Sequence, residues 1–246
     1  SGADDGLAVD DFSLTPQFVL PPPNLTINDV TVGEGNVGTG TLNFVVTLSA
    51  PAPAGGVTFD IATADGSATA GSDYVAQSLT GQTIAAGNNT FAFNVTGNGD
   101  TLFESDETFF VNVSSVVGAV VTDGQGLGTF LNDDASPSVS LGSPSLAEGN
   151  VGTSVANVGV TLSAVAGTDI TVAVSTADGT ATLGDNDYLA ASSNVLIPAG
   201  SLSGNFPVTI NGDTVVEADE TIMVSGLVMR QSGAPDRMPP SNGTIT

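Results

Sequence analysis

The sequence predicts an all-β protein made of two tandem immunoglobulin-like antiparallel β-sandwiches, with about seven strands in each. The first observation is an internal repeat, because the run EGNVGT at 34–39 returns at 148–153, a spacing typical of a small domain. The second observation is a strict alternation of apolar and polar residues, interrupted by Gly, Asn and Asp every 8–12 residues. About seven such strands per repeat favour a sandwich.

The repeat divides the chain into three segments. Residues 1–23 read as the terminal strand of a preceding domain, at 7–14, followed by a Pro-rich linker. Residues 24–134 form repeat one, and residues 135–246 form repeat two, whose first strand is predicted near 138–141. Almost no linker separates the repeats, so we expect a restricted angle between them. Repeat two should be truncated before an acidic motif like that at 132–134.

The strands of repeat one follow from the alternation, taken in chain order. Each has one apolar face, and no segment carries the 3.6-residue stripe of a helix. The residues predicted to face the core are Leu42, Phe44, Val46 and Leu48; then Val57, Phe59 and Ile61; then Phe91, Phe93 and Val95; and finally Phe109, Val111 and Val113.

The composition excludes several classes of function. Asp and Glu number 26 against two Lys or Arg, which argues against nucleic acid and anionic membranes as partners and favours cations. Because Cys, His and Lys are absent, thiol, Ser-His-Asp and lysine chemistry cannot occur. Carboxylate pairs alone, without the Trp of a sugar-binding cleft, do not predict an enzyme. No apolar run is long enough to insert into a membrane.

Most of the acids lie beside glycines between strands, and loops of a sandwich gather at its two ends. Converging carboxylates repel one another, and a divalent cation would relieve that repulsion. Oxygen ligands alone favour Ca²⁺, with Mg²⁺ as the alternative, whereas zinc and copper prefer His or Cys. Asp65 and Asp178, each followed by Gly, are interpreted as turn formers, and Glu107 and Glu220 are expected to face solvent.

Four motifs recur in the same order in both repeats and together resemble the Calx-β domain family over residues 24–246. In repeat one they are EGNVGT at 34–39, TADGSATAGSDY at 63–74, the acidic loop at 99–108 and the run ending in NDD at 128–134. The resemblance implies a seven-stranded sandwich that binds Ca²⁺ at one tip. It also implies these ligands, first in repeat one and then in repeat two: Glu34, Asp73, Asp100, Glu104, Asp133 and Asp134; Glu148, Asp187, Asp213 and Glu217.

These observations predict a calcium-binding structural or spacer module, in which Ca²⁺ rigidifies the tandem sandwiches of an extracellular or cell-surface protein. One alternative is an adhesion or ligand-binding module for a glycan or protein, favoured by the unusual segment at 229–240. Another is a non-catalytic accessory part of a secreted enzyme, favoured by the strand at 7–14. Repeat two lacks the exit aspartates in this sequence, so we expect its calcium site to be weaker.

Overall fold

The computed structural model describes residues 21–229 and 241–245, which form two β-sandwiches. The all-β prediction is confirmed, since every regular element among the described residues is a strand. None of these residues belongs to a helix that could cross a lipid bilayer. The predicted strand at 7–14 and nearly all of the 229–240 segment lie outside the described residues.

Repeat one contains nine strands, two more than expected, because β2 and β8 are short additions at the sheet edges. One sheet has the order β6-β3-β1-β8 and the other β2-β9-β7-β4-β5. The strands are β1 (Asn24–Ile27), β2 (Val30–Gly33), β3 (Gly38–Leu48), β4 (Val57–Asp65), β5 (Ser78–Ile84), β6 (Thr90–Gly99), β7 (Glu107–Val117), β8 (Val120–Val121) and β9 (Gln125–Leu131).

Repeat two repeats this plan with seven strands among the described residues. Its sheets have the orders β10-β11-β14 and β13-β12-β15-β16. The strands are β10 (Val139–Leu141), β11 (Gly152–Leu162), β12 (Ile170–Asp178), β13 (Ser192–Ile197), β14 (Ser203–Gly212), β15 (Ile222–Met229) and β16 (Ser241–Ile245).

Each sandwich has its own hydrophobic core, formed by the inward faces of its two sheets. The alternation predicted these faces correctly along β3 and β4, where all seven named apolar side chains are buried. Phe91 and Val113 are only half-buried, because each lies at the margin of the core cluster. The Phe91 ring still packs edge-on against Phe59, with centroids 5.3 Å apart.

Strand register brings several sequence-distant loops to one end of repeat one. The start of β3 is paired with the end of β6, as Gly38 faces Gly99. The end of β4 is paired with the start of β7, as Asp65 faces Phe109. β2 runs parallel to β9, so both strands end at this same tip. Repeat two has the equivalent pairing of β11 with β14 and of β12 with β15.

The acidic loop after β6 also contacts repeat two. Phe103 forms a parallel bridge with Ala166, and the Gly167 amide donates a 2.9 Å hydrogen bond to the Phe103 carbonyl. The Phe103 side chain packs against the core of repeat two. The junction therefore includes a direct contact between the repeats in addition to the short connection at 132–138.

The register of β16 corrects the predicted alignment of the two repeats at their ends. Gly243 pairs with Val224, as Gly126 pairs with Val111 in repeat one. A Cβ at Gly126 would lie 2.7 Å from the Asn28 carbonyl oxygen, and one at Gly243 would lie 2.6 Å from that of Gly142. Gly243 therefore corresponds to Gly126 rather than to Gly128. The run at 243–246 is thus aligned with residues 126–129, two positions earlier in the repeat than the motif similarity indicated.

Candidate metal centre

The acids of repeat one converge at the tip where β2, β4, β6 and β9 end. Carboxylates of Asp73, Glu104 and Glu107 offer oxygens that all lie within 4.8 Å of one another. Glu34 interacts electrostatically with two members of this group, Glu104 and Asp73, and with the neighbouring Asp100 and Asp134. The loops that carry these residues are distant in sequence and meet only because of the strand register.

Glu107 and Glu220 were expected to face solvent, and the structure shows that this is wrong. Both side chains are half-buried, and each belongs to a carboxylate cluster, Glu107 beside Asp73 and Glu220 beside Asp187. Glu107 is the first residue of β7, and Glu220 lies two residues before β15. Both strands are inside their sheets, and both side chains project into the tip. No signal in the alternating pattern distinguishes a strand-start glutamate that points inward from one that points to solvent.

The pKa values of these carboxyls reflect partial burial and mutual repulsion. Burial, followed by the charges of Asp100 and Glu104, raises the pKa of Glu34 to about 7. Burial, followed by the charge of Asp73, raises the pKa of Glu107 to about 7. Burial, followed by the charge of Asp100, also raises the pKa of Glu104. No basic side chain occurs among the described residues, since Arg230 and Arg237 lie outside them. The cluster therefore carries uncompensated negative charge near neutral pH.

Asp133 and Asp134, which follow β9, close the tip on its far side. The Gly35 amide donates a 3.2 Å hydrogen bond to Asp133, and the Asn36 side-chain amide donates a 2.7 Å bond to Oδ1 of Asp134. The other oxygen of Asp134, Oδ2, is buried and accepts no hydrogen bond from the described residues. A buried carboxylate oxygen without a donor is costly unless a cation binds it. The residues present thus fit a hard cation.

Repeat two has two overlapping clusters at the corresponding tip. Glu148, Asp213 and Glu217 form one, and Asp187, Glu217 and Glu220 form the other, so Glu217 belongs to both. Asp187 is the one buried acid among residues 21–229, with 8% of its surface exposed. Desolvation by neighbouring groups, followed by the charge of Asp213, raises the pKa of Glu217, and desolvation followed by the charge of Asp187 raises the pKa of Glu220.

Several of the predicted ligands also hold their own loops, by the same hydrogen bonds in both repeats. Asp100 accepts from the Leu102 amide at 2.7 Å, and Asp213 accepts from the Val215 amide at 2.6 Å. The amides of Thr69 and Thr182 donate to Asp73 and Asp187 at 2.6 and 2.7 Å. In each case the contact uses one oxygen, and the carboxylate is thereby oriented before any ion binds.

Asp65 and Asp178 have the structural role expected of them. The hydroxyl of Tyr74 donates a 2.6 Å hydrogen bond to Asp65, and that of Tyr188 donates a 2.7 Å bond to Asp178. Each aspartate also accepts from a loop amide, that of Ala70 or that of Leu183. Burial and the aspartate partner raise the pKa of both tyrosines to about 12, so they remain protonated donors.

The structure thus brings together nine of the ten predicted ligands in three carboxylate clusters or in direct electrostatic contact with one. They are Glu34, Asp73, Asp100, Glu104 and Asp134 in repeat one, and Asp187, Asp213 and Glu217 in repeat two, where Glu148 joins them. Asp133 lies at the same tip through its bond to Gly35. Glu107 and Glu220 are additional members that the sequence analysis did not include.

The family model of the Calx-beta domain matches the chain over residues 25–125 and 132–242. The two matches fall on the two sandwiches and cover most of the sequence. The chain therefore belongs to the Calx-beta family, as the recurring motifs predicted, and it is a tandem pair of Calx-beta domains. Comparison with curated proteins gives no match.

Solved structures with a similar arrangement of strands include other tandem domains. The crystal structure of CBD12 from CALX1.2 is 18% identical, with a TM-score of 0.40, and covers 86% of this chain and 83% of that one. The calcium binding domain CBD12 of CALX1.1 is 14% identical, with a TM-score of 0.40, and covers 90% of this chain and 99% of that one. Such low identities and TM-scores carry no information about what this chain binds.

Proposed function

We propose that this tandem pair is a calcium-binding structural module, in which Ca²⁺ at the tips stiffens a segment of a larger extracellular or cell-surface protein. The observation that supports this most strongly is the repeat-one tip. There, the half-buried Glu34 and Glu104, whose pKa values are raised, interact electrostatically with Asp134, which has a buried oxygen with no donor among the described residues. No basic side chain of the described residues offsets that charge. A divalent cation is the simplest way to stabilise such a group.

In repeat one, the residues that would hold the ion are the Asp73, Glu104 and Glu107 cluster, with Glu34 and Asp134 beside it. Ca²⁺ accepts six to eight oxygen ligands in flexible arrangements, so it suits a group of monodentate and bidentate carboxylates drawn from several loops. The bound ion would supply positive charge, and the carboxylates would then ionise without their mutual repulsion. In repeat two, Glu217 would bridge the two clusters.

Stiffening of the tandem is supported by the neighbouring positions of Phe103 and Glu104. Glu104 belongs to the carboxylate cluster of repeat one, while Phe103 contacts Ala166 and the core of repeat two. An ion that holds Glu104 in place would also restrict the loop that carries Phe103. Ca²⁺ bound within repeat one would thereby limit the relative motion of the two repeats.

Two chemical observations support the proposed extracellular setting and spacer role. Ca²⁺ is abundant outside cells, where modules of modest affinity use it as a structural ion. The chain has no cysteine for disulfide bonds, and metal binding can stabilise a small domain in their place. No described residue favours the adhesion alternative, because the 229–240 segment that suggested it lies almost wholly outside the described residues.

Thermal unfolding in millimolar CaCl₂ and in a chelator tests calcium binding. A ligand that binds only the native state adds about 2.7 kcal/mol at a hundredfold excess over its dissociation constant, so the melting temperature should rise by several degrees. The variant Asp73→Asn should lose most of the repeat-one response. Asp123→Asn, at an exposed turn away from the tip, is the matched control. An equal melting temperature in calcium and in chelator would refute calcium binding.

Stiffening requires a separate measurement. Distances between spin labels placed on the two repeats should narrow in distribution when calcium is added, and the narrowing should disappear in the variant Phe103→Ser. Distributions that are equally broad with and without calcium, in a protein that does bind calcium, would reject the stiffening role and leave the ion as a local stabiliser of each repeat.

A further inference from the structure

A cleft of about 390 Å³ lies at the junction of the two repeats. Repeat one contributes its acidic loop and the connection at 132–138, and repeat two contributes the start of β12 and the end of β15. Pockets that take small ligands or single side chains are of this size, about 300–1,000 Å³, and are common between domains. The principal lining residues of this junction cleft are Phe103, Glu104, Asp106, Asp169, Ile170 and Met229.

The apolar part of the junction cleft comes mainly from repeat two. Ile170 and Val228 line it, and both are buried members of the core of that sandwich. Phe103 packs against the same core from repeat one. Met229, which is paired with Thr171, is 45% exposed and extends the apolar surface toward solvent. A ligand that fills this cleft should therefore have an apolar portion.

Three carboxylates also line the junction cleft, Glu104 and Asp106 from repeat one and Asp169 from repeat two. Oδ1 of Asp106 accepts a 3.0 Å hydrogen bond from the Asn132 amide, and Oδ1 of Asp169 accepts a 2.9 Å bond from the Ala199 amide. Each contact orients the carboxylate and uses one of its two oxygens. Residues 21–229 and 241–245 include no basic side chain, so the cleft attracts positive charge from outside.

The lining favours a guanidinium group over a metal ion or an ammonium group. A metal ion needs several oxygens close together, and neither Asp106 nor Asp169 belongs to a carboxylate cluster within the part of the chain that the structure describes. A guanidinium group is planar and weakly hydrated, and its five N–H donors can bond carboxylates on two sides. Its alkyl stem can lie along apolar walls. An ammonium group is compact and more strongly hydrated.

We propose that the junction cleft binds an arginine side chain of a partner protein. The guanidinium group bonds to Asp106 and Asp169, and the alkyl stem lies against Ile170. The hydroxyl groups of Ser136 and Thr168, which also line the cleft, suit the peptide groups on either side of an arginine and favour a partner chain over a free small molecule. Because the two aspartates belong to different repeats, the bound arginine would also link the repeats.

The junction cleft and the calcium tip share one residue, Glu104. The arginine site does not require calcium, because its two aspartates lie outside the carboxylate clusters of the described residues. Calcium at the tip would compensate the charge of Glu104, and arginine should then bind a few-fold more weakly than in chelator. Only this effect of calcium on the affinity rests on the proposed function.

Titration of the full chain with the peptide Gly-Arg-Gly, blocked at both ends, tests the junction cleft. Two-dimensional NMR of the isotope-labelled chain, at about 0.15 M salt to screen distant charges, follows the amide signals of the lining residues. These signals should shift and saturate in chelator and in calcium. The lysine peptide should bind at least about threefold more weakly, and a peptide with neutral citrulline should not bind. Free arginine amide should bind more weakly than the peptide, because it lacks the flanking peptide groups.

Two protein variants locate the binding. Asp106→Asn and Asp169→Asn each keep a carbonyl oxygen for the backbone amide that the aspartate accepts from, so both variants should fold. Each should weaken binding of the arginine peptide by about fivefold, because each removes a charge-assisted hydrogen bond. Asp123→Asn is the matched control, since Asp123 accepts from the Gln125 amide at an exposed turn and does not line the cleft. It should leave the affinity unchanged.

The outcomes separate the arginine site from calcium binding, which thermal unfolding measures independently. Absence of saturable shifts would overturn the site. Equal affinity of the lysine peptide, or an equal loss in Asp123→Asn, would also overturn it, because general attraction to an acidic surface would then explain the binding. Equal affinity of arginine amide would overturn the partner protein as the source. Binding that disappears in saturating calcium would overturn the site as well, since the peptide would then have occupied the calcium tip. Binding that persists unchanged in calcium would support the junction cleft and count against calcium at Glu104.

Discussion

The repeat-one tip predicts an unusual dependence of stability on pH when calcium is removed. The folded-state pKa of Glu34 and that of Glu107 are both raised from 4.5 to about 7, mainly by burial and then by neighbouring carboxylates. A carboxyl with a raised pKa binds more protons in the folded state than in the unfolded state. The free energy of unfolding should therefore fall as pH rises from about 4.5 to 7, and stay low above that.

The magnitude follows from the size of the shifts. A pKa raised from 4.5 to about 7 corresponds to at most about 3.4 kcal/mol per carboxyl, at about 1.36 kcal/mol for each pKa unit. Both side chains are only half-buried, and solvent screening reduces the figure to about 1 kcal/mol each. Together they should lower the stability of repeat one by about 2 kcal/mol between pH 5 and pH 8 in chelator.

Urea denaturation at a series of pH values, followed by circular dichroism, measures this effect. The double variant Glu34→Gln, Glu107→Gln should remove most of the decrease, whereas Asp123→Asn should leave it unchanged. Saturating calcium should also remove it, because the ion stabilises the ionised form. Stability in chelator that is constant or increases from pH 5 to pH 8 would refute the view that the tip carries repelling, partly buried carboxyls.

Three further predictions concern single side chains. Gly167→Ala should weaken calcium binding at repeat one several-fold, as measured by calorimetry. The new Cβ would lie 2.7 Å from Cγ and 2.8 Å from Cδ of Glu104 and would displace the Glu104 side chain. Unchanged affinity would show that Glu104 is not a ligand. Tyr74→Phe and Tyr188→Phe should each lower the free energy of unfolding, measured by urea denaturation, by about 1–2 kcal/mol, because each removes an equivalent hydrogen bond to an aspartate. Clearly unequal losses would contradict that equivalence. Asp134→Asn should raise the free energy of unfolding in chelator and lower calcium affinity, since the buried Oδ2 of Asp134 lacks a donor. A lower free energy of unfolding in chelator would contradict this explanation.

Much of the fold could be predicted from the sequence, because strand alternation and turn residues are local. A β-strand exposes its side chains with period two, so the apolar faces of β3 and β4 could be identified without knowledge of their neighbours. The repeated motifs indicated the two sandwiches and the family. The recurrence of acids between strands also indicated the tips as the place for a cation, since loops of a sandwich can only gather at its ends.

The tertiary structure decided which carboxylates meet. Glu107 and Glu220 were assigned to solvent, because a residue at a strand start has no local signal for its direction, and the packing of the central strand turned both inward. The contact of Phe103 with Ala166 likewise depends on where repeat two lies. Neither feature has a periodic signature, because each arises between segments that are distant along the chain.

The sequence alone determined that this chain has two acidic β-sandwich repeats without histidine, lysine or cysteine, since repetition and composition require no coordinates. Only the tertiary structure decided the alignment of β16 with β9. Motif similarity over four residues is satisfied by two registers, and hydrogen-bonded pairing with β15 selects one of them.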